Sequence, residues 1–267
     1  MATITGTELK HIKSLLTKKG RKEHAQFVAE GVRVLEEAYR NQASPAAIYY
    51  APSLISDRGE GLVTVFAKRG VVIKELSAQR IQSVTDTMTS QGILAVFPVP
   101  DGRFTELCRS SVRKVLLCEN IGDPGNLGTL IRSAAAFGFG VVGLLGACAE
   151  PFAPKVVRSS AGSIFAVAIA QAGLDEVLGL RQKRQMKLIA ADNTGQIDPP
   201  SLGDLAARSP FMLAVGSEAE GLSANVLQAA DLVVRLEHET AVESLNAAVA
   251  GSILMKQIYD FTRERTT

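Results

Sequence analysis

The sequence contains no tryptophan, and aromatic residues make up only 5% of it. A surface that grips single-stranded nucleic acid by stacking bases needs a set of such rings, so the scarcity counts against that kind of binder. Cysteine is scarce as well: Cys108, Cys118 and Cys148 are odd in number, widely spaced and set among apolar neighbours. They read as reduced core residues rather than disulfides. With only His11, His24 and His238 beside them they make no metal-ligand spacing, and no metal is expected. No apolar run is long enough for a membrane span, and the opening MATITGTELK lacks a signal-peptide core, so a cytoplasmic protein with no membrane partner is expected. Net charge is close to absent, +2 over 267 residues, so any affinity for RNA has to arise from local patches.

What is present is an alternation of strands and helices in two runs. Thr5 to His24 carries a helical pattern rich in base, with Lys10, His11, Lys13, Lys18, Lys19, Arg21 and Lys22. Such a run is either a solvated helix face or a phosphate-binding patch of the kind that releases counterions from RNA. QFVAEG, AAIYYA, VVIKEL and GILAVFPVP then read as strands. VRVLEEAYR and SAQRIQSV read as helices, the second capped by Ser77, and Ser56 to Gly70 reads as a looser stretch. Pro98 to Phe104, PVPDGRF, has linker composition, which places one unit at residues 1–104 and a second at 105–267. In the second unit KVLLCEN, VVGLLG, IFAVAIA, KLIAAD, FMLAVG and DLVVRL are continuous apolar runs separated by helical stretches, the last helix running from Leu245 to Arg263. The expected fold class is therefore α/β throughout, with a mostly parallel sheet covered on both faces in the second unit.

Three stretches carry polar groups at strand ends or helix starts. The first, NIGDPGNLGTLIRSAAAFGFG, follows a strand, and Asn126 stands where a helix N-cap belongs. From Pro124 to Ala149 its sole charged side chain is Arg132, and a guanidinium set in apolar sequence calls for an anion or a wet cleft. The second, LAVGSEAEGLS, ends a buried strand at Gly216, turns tightly through Ser217 and Glu218, and offers Ser223 as the next cap. Strand carboxyl ends are where ligands bind in open parallel sheets. The third, VESLNAAVAGSILM, opens a small-residue helix with Ser244 and Asn246. Each segment alone is as readily a capped loop as a site. A fourth match, GFGVVG at Gly138 to Gly143, satisfies the dinucleotide fingerprint, but a helix precedes it and a strand follows, the reverse of the required order. A nicotinamide-dependent oxidoreductase is therefore not expected.

Taken together and in order, N-x-x-DPGN-x-G-x-x-x-R-x-A-x-x-FG, G-x-E-x-x-GL and SLN-x-x-V-A resemble the three motifs of the SpoU, or TrmH, group of RNA ribose 2'-O-methyltransferases in the SPOUT superfamily. The resemblance covers the second unit, and KVVRSSAG resembles the segment between motifs. VAEGVRVLEEA in the basic first unit resembles the L30e-like substrate-binding domain that precedes such catalytic domains. What the resemblance implies is a trefoil-knotted α/β domain that binds S-adenosylmethionine and works as a homodimer. It places the donor against Gly216, Leu236, Leu245 and Ala247. Asn126, Arg132, Glu218, Ser244 and Asn246 would surround the acceptor ribose, with Lys18, Lys19, Arg21, Lys22 and Arg158 as the RNA-binding candidates. In the family Arg132 is the favoured activating residue, although a guanidinium is better suited to clamping a phosphate and stabilising a developing alkoxide. Glu218 would then orient Arg132 or accept the proton.

Two departures from the family pattern stand out: Ser217 replaces an Asn, and Leu236, Glu237 and His238 replace an Ile-Pro-Met turn in the donor loop. The expected substrate is structured RNA, ribosomal before transfer RNA. The competing expectation is a noncatalytic RNA-binding protein of the same fold.

Overall fold

The computed structural model describes residues 4–85, 87, 89–195, 202, 209–239 and 244–264. The chain forms two compact units, one made of Met1–Asp101 with Glu150–Ala166 and the other of Gly102–Ala149 with Val167–Thr267.

The first unit begins with α1 (Gly6–Leu15), where Thr5 and Glu8 form a reciprocal capping box. The basic run does not continue as one helix. Thr17 is extended and accepts a hydrogen bond from Gly20 N, which starts α2 (Lys18–His24) afresh. β1 (Gln26–Glu30), α3 (Val32–Arg40) and β2 (Ala47–Tyr50) follow. The stretch expected to be loose is instead a helix, α4 (Asp57–Lys68). Gly59 and Gly61 lower its intrinsic propensity, but Ser56 caps it, Asp57 and Glu60 open it, and Leu62 and Phe66 bury one face. β3 (Val72–Glu75), α5 (Ala78–Gln82, capped by Ser77 as expected) and β4 (Ile93–Pro98) complete the run. The sheet order is β1-β4-β2-β3, with β4 antiparallel to both of its neighbours.

The second unit opens with α6 (Phe104–Leu107), β5 (Lys114–Glu119), α7 (Pro124–Ala136) and β6 (Val141–Leu145). The chain then passes through Glu150–Ala166, which a single division at residue 104 would leave in the second unit but which packs with the first. The physical reason is aromatic and ionic. Phe27 on β1 lies 4.9 Å from Phe152 and 6.1 Å from Phe165, ring centre to ring centre, and Phe97 lies 4.6 Å from Phe165. Arg21 forms a two-pronged pair with Glu150, both hydrogen bonds at 2.7 Å. Between these anchors lies α8 (Pro154–Ser159). Four of the aromatic rings, those of Phe27, Phe97, Phe152 and Phe165, are thus spent on packing this segment against the first unit's sheet.

Back in the second unit come β7 (Ala168–Gln171), α9 (Leu174–Arg184), β8 (Lys187–Ala191), β9 (Phe211–Val215), α10 (Ala224–Ala229), β10 (Leu232–Val234) and α11 (Ala247–Glu264). The expected strand IFAVAIA is shorter than its sequence run, because Ser163–Phe165 is a 3-10 turn. The sheet order is β10-β8-β9-β5-β6-β7, and every neighbouring pair is parallel. β6 and β9 are buried along their whole length and β5 along all but its first residue, as strands covered on both faces must be. The three cysteines are free; burial raises the Cys108 thiol to about 11 and the Cys118 thiol well above its ordinary value. Among the described residues no helix is long and apolar enough to cross a membrane.

Candidate active site

The site grows from the carboxyl ends of β5 and β9, adjacent strands in the middle of the parallel sheet. Beyond β5, Asp123 caps α7 by accepting from Asn126 N at 2.9 Å, and Pro124 takes the first helical position. Asn126 is therefore not the cap expected from sequence. It lies inside the first turn, which leaves its side-chain amide able to reach outward. Beyond β9 the chain makes a tight turn. Gly221 N donates to Ser217 O at 2.9 Å, and a Cβ on Gly216 would lie 2.2 Å from the Gly221 carbonyl, so no side chain fits there.

The third segment supplies Asn246, which does cap its helix: its Oδ1 accepts from Ala248 N at 3.0 Å and Val249 N at 3.1 Å. Its amide nitrogen does a second job. Asn246 Nδ2 donates to Glu218 Oε1 and, at 3.1 Å, to Asn126 Oδ1. Asn126 Nδ2 donates to the same Glu218 Oε1 at 3.0 Å, and Ala247 N approaches it at 3.3 Å. Residues 126, 218 and 246 are thus brought into one hydrogen-bonded cluster. Oε1 is the shared acceptor, while Oε2 has no partner among the described residues. α11 can come this close to α7 because Gly251 meets Leu130, where a Cβ would lie 2.6 Å from the leucine side chain.

Beside the cluster lies a cleft of about 500 Å³, within the usual range for small-ligand sites. Gly216, Leu236, Leu245 and Ala247, the four expected donor-binding residues, all line it, as do Ser244 and Glu218. Asp192 and His238 line it as well, beyond the residues expected from sequence. Asp192 had a usable signal, an acid directly after an apolar strand, KLIAAD. Of residues 240–243 in the RLEHETAVESLN stretch nothing is described. Among the described residues the lining offers the carboxylates of Asp192 and Glu218 and no lysine or arginine. A cationic ligand with an apolar body fits such a lining; a pyrophosphate would be repelled by it. That chemistry suits a sulfonium and an α-ammonium flanked by adenine, and it argues against a dinucleotide.

Arg132 does not join the cluster. It lies exposed on α7 and makes no hydrogen bond or ion pair with any described residue. Leu127, Leu130, Ile131 and Ala134 turn inward, whereas positions 129, 132 and 136 share the outer face, so an apolar sequence neighbourhood is not an apolar spatial one. Among the RNA-binding candidates, Lys18, Lys19 and Lys22 are exposed and Arg158 is part-buried on α8. Arg21 is only 5% exposed, and besides Glu150 it donates to Leu15 O at 2.8 Å. Its donors are directed at the protein itself, so it holds the unit together and has no free face for a phosphate.

A parallel sheet whose central strand ends carry an acid-lined cleft beside a carboxamide–carboxylate cluster suits a group-transfer enzyme that takes a cationic donor. The particular group is given by comparison: the chain belongs to the SpoU rRNA Methylase family, whose model matches residues 113–256. It is an RNA methyltransferase. Residues 7–95 match the MRM3-like substrate binding domain. The chain is 32% identical over 248 residues to the 23S rRNA (guanosine(2553)-2'-O)-methyltransferase RlmP of Bacillus subtilis, covering 93% of this chain and 94% of that one. Among solved structures it is similar to the AdoMet-bound rRNA methyltransferase of Sinorhizobium meliloti, with a TM-score of 0.82, 25% identity and 97% of each chain covered. An RNA 2'-O ribose methyltransferase structure matches with a TM-score of 0.80, 25% identity and 98% of each chain covered.

Proposed function

We propose that the protein methylates a ribose 2'-hydroxyl in structured RNA, ribosomal RNA before transfer RNA, and does so in the cytoplasm as a homodimer. The observation that carries this reading is the convergence of Asn126, Glu218 and Asn246 at the rim of the acid-lined cleft.

The donor, when bound, supplies an electrophilic methyl. The residues of this chain do the rest. Gly216, Leu236, Leu245 and Ala247 form the walls against which the donor is held, and the Glu218 and Asp192 carboxylates favour its positive charge. Methyl transfer to a hydroxyl is an in-line displacement, so fixing donor and acceptor at near-attack distance supplies much of the rate. Asn126 and Asn246 hold the Glu218 carboxylate by one oxygen, which leaves Oε2 open to accept a hydrogen bond or a proton from the incoming hydroxyl. Arg132 stays on the outer face of the same helix as Asn126, where it meets an RNA phosphate and offsets the charge that develops on the ribose oxygen.

We seat the second copy on α11. Val249 and Ile253 are exposed there at 46% and 38%, on the helix that packs against α7, the helix of Arg132. A partner seated on that face would cover both apolar side chains and enclose Arg132. In the first unit, Lys10, Lys13, Lys18, Lys19 and Lys22 are exposed along α1 and α2 without ion pairs among the described residues, and they supply the phosphate contacts.

The test is methyl transfer from labelled S-adenosylmethionine to host ribosomal and transfer RNA, with the 2'-O-methyl positions mapped in cells with and without the protein. A site lost from ribosomal RNA on deletion is the expected outcome. RNA binding without donor binding at millimolar S-adenosylmethionine would replace the enzyme with a noncatalytic binding protein.

A further inference from the structure

The last residue of β5, Glu119, is a buried carboxylate, 8% exposed, in a strand otherwise made of apolar residues and a lysine at its start. Burying an anion is costly unless it is fully engaged. Its engagement is specific: Oε2 accepts from Ser223 N and Oε1 from Ser223 Oγ, both at 2.8 Å. Ser223 is the N-cap of α10, and its hydroxyl also accepts from Val226 N at 3.4 Å. The hydroxyl therefore receives one hydrogen bond from the helix and gives one to Glu119, so the cap and the carboxylate form a single chain.

The position of that chain matters. Between β9 and Ser223 lie only Gly216 to Leu222, the turn that presents both a wall of the cleft and Glu218. One end of the turn is fixed by the β9 ladder to β5. The other end is fixed by Glu119, which also belongs to β5. Inside the turn, Ser217 and Gly221 form an antiparallel bridge, and Glu220 N donates to Ser217 Oγ at 3.2 Å. The residue after β5, Asn120, acts elsewhere. Its Oδ1 accepts from Ala147 N at 2.8 Å and so ties down the loop after β6.

We propose that Glu119 is a positioning residue for methyl transfer: by clamping Ser223 it holds the Gly216–Leu222 turn closed, so that the donor wall and Glu218 stay in register with Asn126 and Asn246. This rests on the reading that Gly216 and Glu218 belong to the working site. Neither Glu119 nor Ser223 lines the cleft or joins the cluster, so the clamp acts through the turn.

The experiment compares Glu119→Gln, Ser223→Ala and Ser223→Thr with the wild type and with Glu218→Ala, in the full chain. It measures donor affinity by calorimetry, then donor KM and kcat with RNA, and the melting temperature. Hydrogen bonds to a charged acceptor are strong enough that losing one of the pair raises donor Kd and KM about tenfold in Glu119→Gln and Ser223→Ala. Ser223→Thr, which keeps both donors, restores donor KM to within about twofold of the wild type. Glu119→Gln is nearly isosteric, so it reads the clamp even where a truncated side chain would unfold the unit. The proposal is overturned if Glu119→Gln lowers the melting temperature but leaves donor Kd and KM at wild-type values, or if Ser223→Thr is as impaired as Ser223→Ala. If Glu218→Ala retains full turnover, the site reading itself fails; if Glu218→Ala is inactive while Glu119→Gln is normal, only the clamp fails.

Discussion

Two arginines, one in each unit, exchange the roles their sequence surroundings suggest. Arg21 sits in a run of lysines on α2 and would pass for a phosphate ligand, yet it is buried and committed to Glu150 and to the Leu15 carbonyl. Arg132 sits in an apolar run on α7 and would pass for a buried charge, yet it lies on the outer face with no partner among the described residues. Helical geometry decides both cases. Residues a few positions apart along the chain face opposite sides, and the company a side chain keeps in space comes from elements distant in sequence. Glu150 is remote from Arg21 along the chain and adjacent to it in the fold.

The contrast can be broken first at Arg132. Arg132→Ala is expected to abolish methyl transfer, by at least about a hundredfold in kcat, while stability stays within about 0.5 kcal/mol because the side chain is exposed. Turnover assays and thermal melts on one preparation check both halves, and a variant with normal turnover removes Arg132 from the mechanism. Arg21→Ala is expected to show the opposite signature: a loss of about 3 kcal/mol of stability, because it strands Glu150 without its partner. Denaturant unfolding of the full chain measures this, and a change below about 0.5 kcal/mol would make the pair a surface ornament.

A smaller effect is expected from replacing Lys18, Lys19 and Lys22 with glutamine. RNA affinity falls, and the slope of log K against log salt becomes shallower by roughly 0.7 to 0.9 for each phosphate no longer neutralised. An unchanged slope would make the α2 lysines a solvated face and nothing more. The least response is expected from the core behind the site. With its pKa raised by burial to about 11, Cys108 holds on the order of one part in a thousand as thiolate at pH 8. Alkylation at Cys108 of the native protein, read by peptide mass spectrometry so that the part-buried Cys148 is scored separately, should therefore be slow and should speed up on unfolding; rapid labelling of Cys108 in the folded chain would contradict its burial.

The parallel sheet was legible because β5, β6, β8 and β9 are short continuous apolar runs, the pattern that burial on both faces imposes. Helix α4 was hidden by Gly59 and Gly61, whose cost is outweighed by a capped start and a buried Leu62 and Phe66. The start of α7 was misplaced by three residues because Asn126 and Asp123 are equally good caps on paper, and Pro124 settles the choice. Asn126, Glu218 and Asn246 each stand out in the sequence at a strand end or helix start, but only the family resemblance implies that they meet; no periodicity puts residues 126, 218 and 246 on one oxygen atom. Glu119 is not among the site residues expected from sequence, although an acid ending the run VLLCE is a signal in itself. A charge at the close of a buried strand has to be matched by donors from a neighbouring loop.

The excursion of Glu150–Ala166 from the second unit into the first has a consequence for how the protein is made. During synthesis from the amino terminus, the ring cluster around Phe27 lacks Phe152 and Phe165 until the ribosome has produced them, by which time β5 and β6 are already complete. The amino-terminal half therefore waits, unfinished, for a piece encoded beyond the start of its neighbour. Exchange of the first unit between relatives requires three junctions rather than one.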